Sequence, residues 1–590
     1  MTMKDHGASG VVRRGCGPQP TTRIVRMFAV VGSVLCLNLA SALPAHADGF
    51  WTNAIEVPGL STLNHTTAMT GTIVCTSKGN CVTGGSYTDA ALNTQAYVAT
   101  ETHGVWSPAK EVASSLNVGG VAAVYAFSCP SEGNCTASGI FADADNIQHA
   151  FALNEVSGVW GSAVPIADYS TLQPGDQTLF QTISCSAMGT CVGIGAYLDE
   201  ATNVGQPLIF TETNGVWAAP VLAPGFSPFN PAGIALVATL SCPAAGSCEA
   251  GGIILGSVTN TLDSFLMHES NGVWGDPFKV PGITALGGGA ITLLDTLSCG
   301  APGDCSAGGI YSDKVGLEQA FVVSEVNGTW GNAVQLFATT DLGSGLTSGL
   351  SSLSCSAKGE CSGAGSYGDL ANNDQGFVVS EVGGSWGSPI EVPGIKSLNN
   401  DVGSGATTIS CSAPGSCTAG GTYTDANSSN VDVFVAKETS GTWGNAVPVP
   451  NAARLNQGGK AAINNVSCSS DGSCGVNGTY TDSQSNTQIF VDDSSAVAPT
   501  TVSGTPRHVT AVDKDGVVTV RWLAPASTGG TPITSYAVTS IPKSKGCTTR
   551  STSCALKGLN KKVHYSFQVR ATNADGTSAA SAKSNAVLPR

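Results

Sequence analysis

From residue 407 to residue 450 short apolar or small-residue runs alternate with polar turns, the pattern of neighbouring β-strands. A first strand is predicted over residues 407–411 and a second over 417–424, the latter rich in small residues at Ala419, Gly420 and Gly421. The third covers 432–438 and opens apolar on both faces with Val433, Phe434 and Val435, as a strand sandwiched between two layers should. After a turn at Ser440-Gly441, a fourth strand opens at Trp443-Gly444 and runs through Ala446-Val447 into Pro448 and Pro450. Proline cannot donate to a ladder, so this strand is expected at the sheet edge, and Pro58, Pro281 and Pro393 match it in other copies.

This unit recurs. Eight times a Cys, five residues and a second Cys are written, each copy 54 to 57 residues after the last: Cys75/Cys81, Cys129/Cys135, Cys185/Cys191, Cys242/Cys248, Cys299/Cys305, Cys355/Cys361, Cys411/Cys417 and Cys468/Cys474. A Gly always stands four residues past the first Cys. In the copy around Cys411, a three-residue loop Ala413-Pro414-Gly415 with a left-handed glycine makes Ser412 and Ser416 the flanking pair. Cys411 and Cys417 then face each other one step out, at a separation of roughly 4.5 Å that a disulfide spans. Each bridge closes so short a loop that it contributes only about 2 kcal/mol. The competing use, a zinc site, lacks the His or second thiol pair that zinc takes.

The ends of the array complement each other. The eighth copy runs through Cys474, Tyr480, Asp482 and Phe490 and stops without a Trp-Gly strand, while residues 50–59 supply such a strand with no others of their own. Lending that strand to the last copy would remove free sheet edges, so an eight-bladed β-propeller closed by an N-terminal strand is expected over residues 48–493.

The pattern S-C-x-x-x-G-x-C-x-A-x-G, an aromatic two residues on and a later G-x-W-G resembles the Cys-containing propeller repeats of secreted actinobacterial proteins. The resemblance covers residues 50 to about 495 and implies architecture more than activity. Sialidase-like propellers carry S-x-D-x-G-x-x-W at such hairpins; here Cys takes the Trp position, and only Asp471 resembles the motif's Asp. A sialidase also needs several arginines on its substrate carboxylate, whereas Arg454 is the single arginine between residues 48 and 500.

A linker, residues 494–503, precedes a tail over 504–590 that resembles a fibronectin type III domain. The carriers are Pro506 with Val509, residues 518–522 ending in Trp522, residues 533–538 with Tyr536, and Leu559 with Tyr565 at the spacing of a tyrosine corner. A local bridge between Cys547 and Cys554 is expected. No Arg-Gly-Asp triplet occurs, so integrin-type adhesion has no support.

Residues 1–47 read as a signal-peptide region: Arg23 and Arg26, an apolar run from Phe28 to Leu39, and Ala45-His46-Ala47 before a cut at Asp48. Met27 offers an alternative start. Secretion and bridges agree, since disulfides persist in oxidising compartments. No other apolar run is long enough for a membrane helix, so an extracellular or wall-associated monomer without a span is expected.

Charge divides the chain. Residues 48–500 hold 37 Asp and Glu against 9 Lys and Arg, whereas residues 501–590 hold 3 against 12. The acidic array should avoid nucleic acid, and the basic tail suits anionic wall polymers. Glu101, Glu155, Glu212, Glu269, Glu325, Glu381 and Glu438 recur before the Trp, and Asp89, Asp143, Asp199, Asp313, Asp369, Asp425 and Asp482 recur after the second strand. A catalytic acid is needed once or twice, so residues present in nearly every copy are read as serving the fold, the Asp as Asx-turn formers. Calcium stays open at Asp143 and Asp145, and no other metal or cofactor is expected.

Departures from the repeat are His65, His103, His149, His268, Lys314, Arg454 and an insertion at 224–231 carrying Phe226 and Phe229. No catalytic set forms among them. Phe226, Phe229 and Arg454 are the candidate binding residues, aromatics on a proline-stiffened loop suiting sugar or protein contacts. The expected function is a non-catalytic recognition or scaffold protein for an extracellular glycan, cell-wall polymer or surface protein. The alternative is a glycosidase or polysaccharide lyase with two carboxylates in a cleft.

Overall fold

The computed structural model describes residues 51–166, 177–199, 204–226, 234–255, 262–287, 291–337, 342, 347–371, 373–494, 502–525, 533–573 and 576–590. The expected signal region and most of the expected linker lie outside them. The described chain is all-β apart from single helical turns.

Each of the first seven repeats is an antiparallel sheet. In the seventh, strands Ser404–Ala413, Ser416–Thr424 and Val431–Thr439 pair in order. The expected fourth strand is two pieces, Thr442–Trp443 and Val447–Pro448, both on the third strand. The break has a cause. Gly444 N–H still reaches Lys437 O, but Ala446 N–H turns away to Pro393 O of the preceding repeat.

All eight hairpin bridges form, with Cα separations of 3.9–4.1 Å, and so does Cys547–Cys554. The register differs from expectation by one residue: Ala413, not Ser412, lies opposite Ser416, with a bulge between Ala413 and Cys411. Gly415 at the turn meets two demands at once. Its φ is +63°, and a Cβ there would lie 2.6 Å from Gly441 N, because Gly441 N–H donates to Gly415 O at 2.9 Å. The hairpin and the next turn are thus zipped backbone to backbone, and the first six repeats repeat that bond.

The bridges lie inside their own hairpins as expected, and burial adds a feature the spacing does not show. The two sulfurs of a bridge stand in different surroundings. The second cysteine is buried in every repeat: Cys81, Cys135, Cys191, Cys248, Cys305, Cys361, Cys417 and Cys474 are all 2–5% exposed. Of the first cysteines Cys75 is buried, whereas Cys129, Cys185, Cys242, Cys299, Cys355, Cys411 and Cys468 are half-buried. The reason is position. The second cysteine opens the small-residue second strand, which is covered on both faces, so Cys191, Cys248, Cys305 and Cys361 are parts of the interior and not an accessible thiol or ligand site.

The cores lie between consecutive sheets. Ala364 and Val378 of the sixth repeat pack with Ile409, Cys417, Ala419 and Phe434 of the seventh. The small-residue second strand follows from this sandwiching, since a Cβ on Gly420 would meet Val466 of the eighth repeat at 2.8 Å.

The termini of the array meet. Ile55–Glu56 pairs antiparallel with Thr487–Asp493, Ile55 opposite Val491 and Glu56 opposite Phe490. Trp51 and Ala54 share a core with Phe490. Tyr480 Oη donates to Glu56 Oε2 at 2.8 Å, as Tyr367 does to Glu391 in the sixth repeat. The contact linking neighbouring repeats, Cys468 N–H to Ser410 Oγ at 2.9 Å, reappears as Cys75 N–H to Ser467 Oγ at 3.0 Å between the first repeat and the eighth.

Single helical turns at Leu60–Leu63, Ile283–Leu286, Lys396–Asn399 and Ala452–Leu455 were not expected. Three bring in a buried Asn: Asn64 donates to Gln488 Oε1, Asn399 to Gln375 Oε1 and Asn456 to Asp432 Oδ1.

In the tail a three-stranded sheet (Arg507–Lys514, Val517–Leu523, Ser553–Lys557) faces a four-stranded one around Trp522, Tyr536 and Phe567. Tyr565 Oη accepts Asn560 N–H at 3.4 Å, the corner expected from sequence. Cys547–Cys554 joins the two sheets.

Candidate functional site

The recurring glutamates sit at the hairpin end of each third strand, opposite the Trp, and all seven are buried. Each faces a neighbouring repeat. Glu381 accepts Ser306 Oγ and Ser324 Oγ of the fifth repeat, both at 3.2 Å, and Trp386 Nε1 donates to the same Ser324 at 3.1 Å. Ser380 to Glu438 (3.0 Å), Asn154 to Glu212 (3.0 Å) and Thr100 to Glu155 (3.3 Å) repeat the contact. Burial raises the carboxyls of Glu155, Glu212, Glu381 and Glu438 above the usual range, and the neighbouring donors offset this in part. These glutamates serve the fold.

Two seams depart from the rule. Between the fourth and fifth repeats, Glu249 takes the place next to the second Cys that is Val82, Thr136, Val192, Ser306, Ser362, Thr418 or Gly475 elsewhere. It lies on Ser247–Leu255 directly across from His268 on Leu262–Ser270, with His268 Nδ1 2.5 Å from Glu249 Oε1. Glu325, on Glu318–Val326 of the fifth repeat, completes a group whose ligating atoms all lie within 4.8 Å of one another. Burial pushes Glu249 up to about 8. Burial, with Glu249 beside it, pushes Glu325 up to about 7. Between the eighth and first repeats, Glu101 is pushed up to about 9 by burial and by Asp493 and Asp492. Burial likewise raises Asp492 to about 7, although Thr52 Oγ1 donates to it.

The recurring Asp residues behave as turn formers. Asp143 Oδ1 accepts Asp145 N–H (2.9 Å) and Ile147 N–H (3.0 Å), and its Oδ2 holds His149 Nε2 at 2.8 Å. Asp89, Asp313, Asp369, Asp425 and Asp482 accept in the same way. Both Asp143 oxygens are therefore engaged, one by the turn and one by His149, while Asp145 is exposed.

The expected binding trio is not assembled. Phe226 is 2% exposed and packs edge-on against Phe265, 5.0 Å between centroids, in the core of the fourth repeat. That corrects its expected place on an exposed recognition loop: the ring fills space left between two sheets. Phe229 lies outside the described residues. Arg454 is exposed on the turn Ala452–Leu455, in the segment joining the seventh and eighth repeats, its Nε donating to Asn451 Oδ1 at 2.6 Å. His65 and His103 are exposed. Only His268, among the departures singled out in the sequence, joins a cluster of ionisable side chains beyond a turn. Glu249 was missed, and the signal was its size and charge at a position otherwise small or hydroxylic.

Residues 504–587 match the family model "Fibronectin type III domain", and this segment is a fibronectin type III domain. No curated protein matches the chain. Among solved structures the chain is similar to "Titin kinase and its flanking domains" at 30% identity over 15% of this chain and 18% of that one, with a TM-score of 0.14. It is also similar to a Hadza microbial sialidase (10% identity, 58% of this chain, 73% of that one, TM-score 0.31). A polysaccharide lyase, the PL25 ulvan lyase, matches at 9% identity over 75% of this chain and 94% of that one, with a TM-score of 0.34. The chain spans less than a fifth of the titin structure's own length.

Proposed function

We propose that this is a secreted, non-catalytic recognition protein in which a closed eight-bladed β-propeller serves as a rigid body and the fibronectin type III domain engages an anionic cell-wall or extracellular polymer. Ring closure is supported by the strand Ile55–Glu56 on the eighth sheet and by the repeated Cys N–H to Ser Oγ contact between the last and first repeats. Secretion is supported by nine disulfides, and among the described residues no helix is long and apolar enough to cross a membrane.

The observation that carries the polymer reading is the basic surface of the tail. All twelve Lys and Arg of residues 501–590 are exposed, and among the described residues none forms an ion pair. Lys514 and Lys557 stand on either side of Val517 in one row of the three-stranded sheet, and Arg521 lies on the adjoining strand's exposed face. Unpaired cations on a flat sheet suit a polyanion bound mainly by charge.

The test is retention of the full chain on a glycan and cell-wall polymer array across a salt series. Wild type is expected to hold anionic polymers and to release them by about 0.5 M salt, where screening reaches a few ångströms. Lys514→Glu with Lys557→Glu should weaken retention at least tenfold. Binding that ignores both salt and charge reversal would refute the reading. The glycosidase alternative draws on the proximity of Glu249 and Glu325, but both are nearly closed to solvent, at 3% and 4% exposure. It predicts turnover that Glu249→Gln abolishes.

A further inference from the structure

We propose that Glu249, His268 and Glu325 form a binding site for a zinc-class divalent transition-metal ion that clips the fourth repeat to the fifth. The inference is independent of the polymer reading.

The donor set is the first argument. One imidazole and two carboxylates converge from three strands, their ligating atoms within 4.8 Å of one another. Zinc binds such N and O donors at about 2.0–2.2 Å, so ligands around one ion stand roughly 3.5 Å apart, and small side-chain rotations close the gap. The imidazole disfavours calcium and magnesium, which take all-oxygen shells. Two carboxylates facing a dication leave the buried site neutral.

The second argument is an unmet need. Glu249 is 3% exposed, and its Oε2 has no hydrogen-bond partner; the same holds for Glu325 Oε2 at 4% exposure. An acceptor buried without a donor is costly. In the next seam the equivalent places are Ser306 and Ser324, whose hydroxyls donate to Glu381. Here both hydroxyls are replaced, one by a carboxyl and one by an imidazole, and the Trp330 indole is the donor left beside Glu249. A cation satisfies all three side chains together.

The third argument is coincidence of the two departures. Glu249 and His268 are each unique at their position among the eight repeats, and they lie opposite each other in one ladder. The His268 side chain is 44% exposed, which gives an ion a way in.

The experiment is calorimetric titration of the EDTA-stripped, dialysed full chain with zinc chloride, repeated in millimolar calcium and magnesium. One saturable equivalent is expected, unaffected by the hard cations. Glu249→Val installs the residue that the first and third repeats carry, and His268→Ser the one found in the fifth. Each should fold, as judged by circular dichroism, and each should weaken zinc at least a hundredfold. Should Glu249→Val misfold, His268→Ser and Glu325→Gln decide the matter. Absence of saturable zinc binding in wild type, or affinity unchanged in the folded variants, overturns the proposal.

Discussion

The seam between the fifth and sixth repeats and the seam between the fourth and fifth share a strand arrangement and differ at the two side chains that face the recurring glutamate. In the former, Ser306 and Ser324 donate hydrogen bonds to Glu381. In the latter, a carboxyl and an imidazole, Glu249 and His268, stand in those places beside Glu325. The same glutamate is thus a satisfied acceptor in one place and a member of a buried ionisable cluster, with one oxygen unpartnered, in the other. A repeat therefore fixes where a side chain stands, whereas its neighbours across the seam decide what it does.

The sharpest way to break this contrast is to delete the acid on each side. Glu381→Ala strands two buried hydroxyls and opens a hole, and it should cost about 3 kcal/mol in denaturant unfolding. Glu325→Ala, in metal-free protein, should cost less than about 1 kcal/mol because it relieves crowding beside Glu249. Equal losses would erase the distinction.

A second probe uses pH at the seam between the eighth and first repeats, where Asp492 and Asp493 face Glu101. Glu101 keeps its proton in the fold up to about 9, while the unfolded chain releases it near 4.5. The folded state then binds the extra proton across that interval, so stability is full below about pH 4.5 and falls as pH rises through 9. Glu101→Gln should flatten the decline between pH 5 and 9 by up to roughly 5 kcal/mol. An unchanged slope in thermal melts would count against burial of the charge.

Transplanting the odd seam sharpens the comparison further. Ser306→Glu with Ser324→His rebuilds the cluster one repeat later, and calorimetry should then count two zinc equivalents in place of one, at a stability cost of about 1–2 kcal/mol without metal. The smallest effect is expected at the exposed turns. Asp425, held below the usual range chiefly by the Ser428 N–H, supports only a surface loop. Asp425→Ala should shift unfolding by no more than about 0.5 kcal/mol.

Much of the architecture was legible in one copy of the repeat. Cys spacing located every hairpin bridge, and proline at Pro448 placed the outer strand. The segment around Trp51 announced its partner near Phe490. What escaped reading depended on contacts between copies. Spacing pairs Cys305 with Cys299 but says nothing of the neighbouring sheets that bury it. The outer strand breaks because Ala446 answers a carbonyl of the previous repeat, which no local propensity encodes. The helical turns hide in a Leu-Asn pair, seen at Leu63-Asn64, Leu398-Asn399 and Leu455-Asn456, whose Asn matters only once a Gln or Asp lies beside it. Phe226 looked exposed because prolines surround it, yet a gap beside Phe265 draws it inward. Glu249 passed unnoticed because its meaning lies in the side chains it replaced.

The pairing of Ile55–Glu56 with the last sheet has a consequence for biogenesis. Glu56 and Tyr480, joined by a hydrogen bond, stand 424 positions apart, so the earliest segment made waits for almost the latest before its ladder exists. Until synthesis reaches the eighth repeat, two raw ribbon edges remain available to any passing chain, and long-range pairings of this kind form slowly. Nonsense products lacking the eighth repeat should consequently clump or be degraded even though most of their hairpins are already cross-linked.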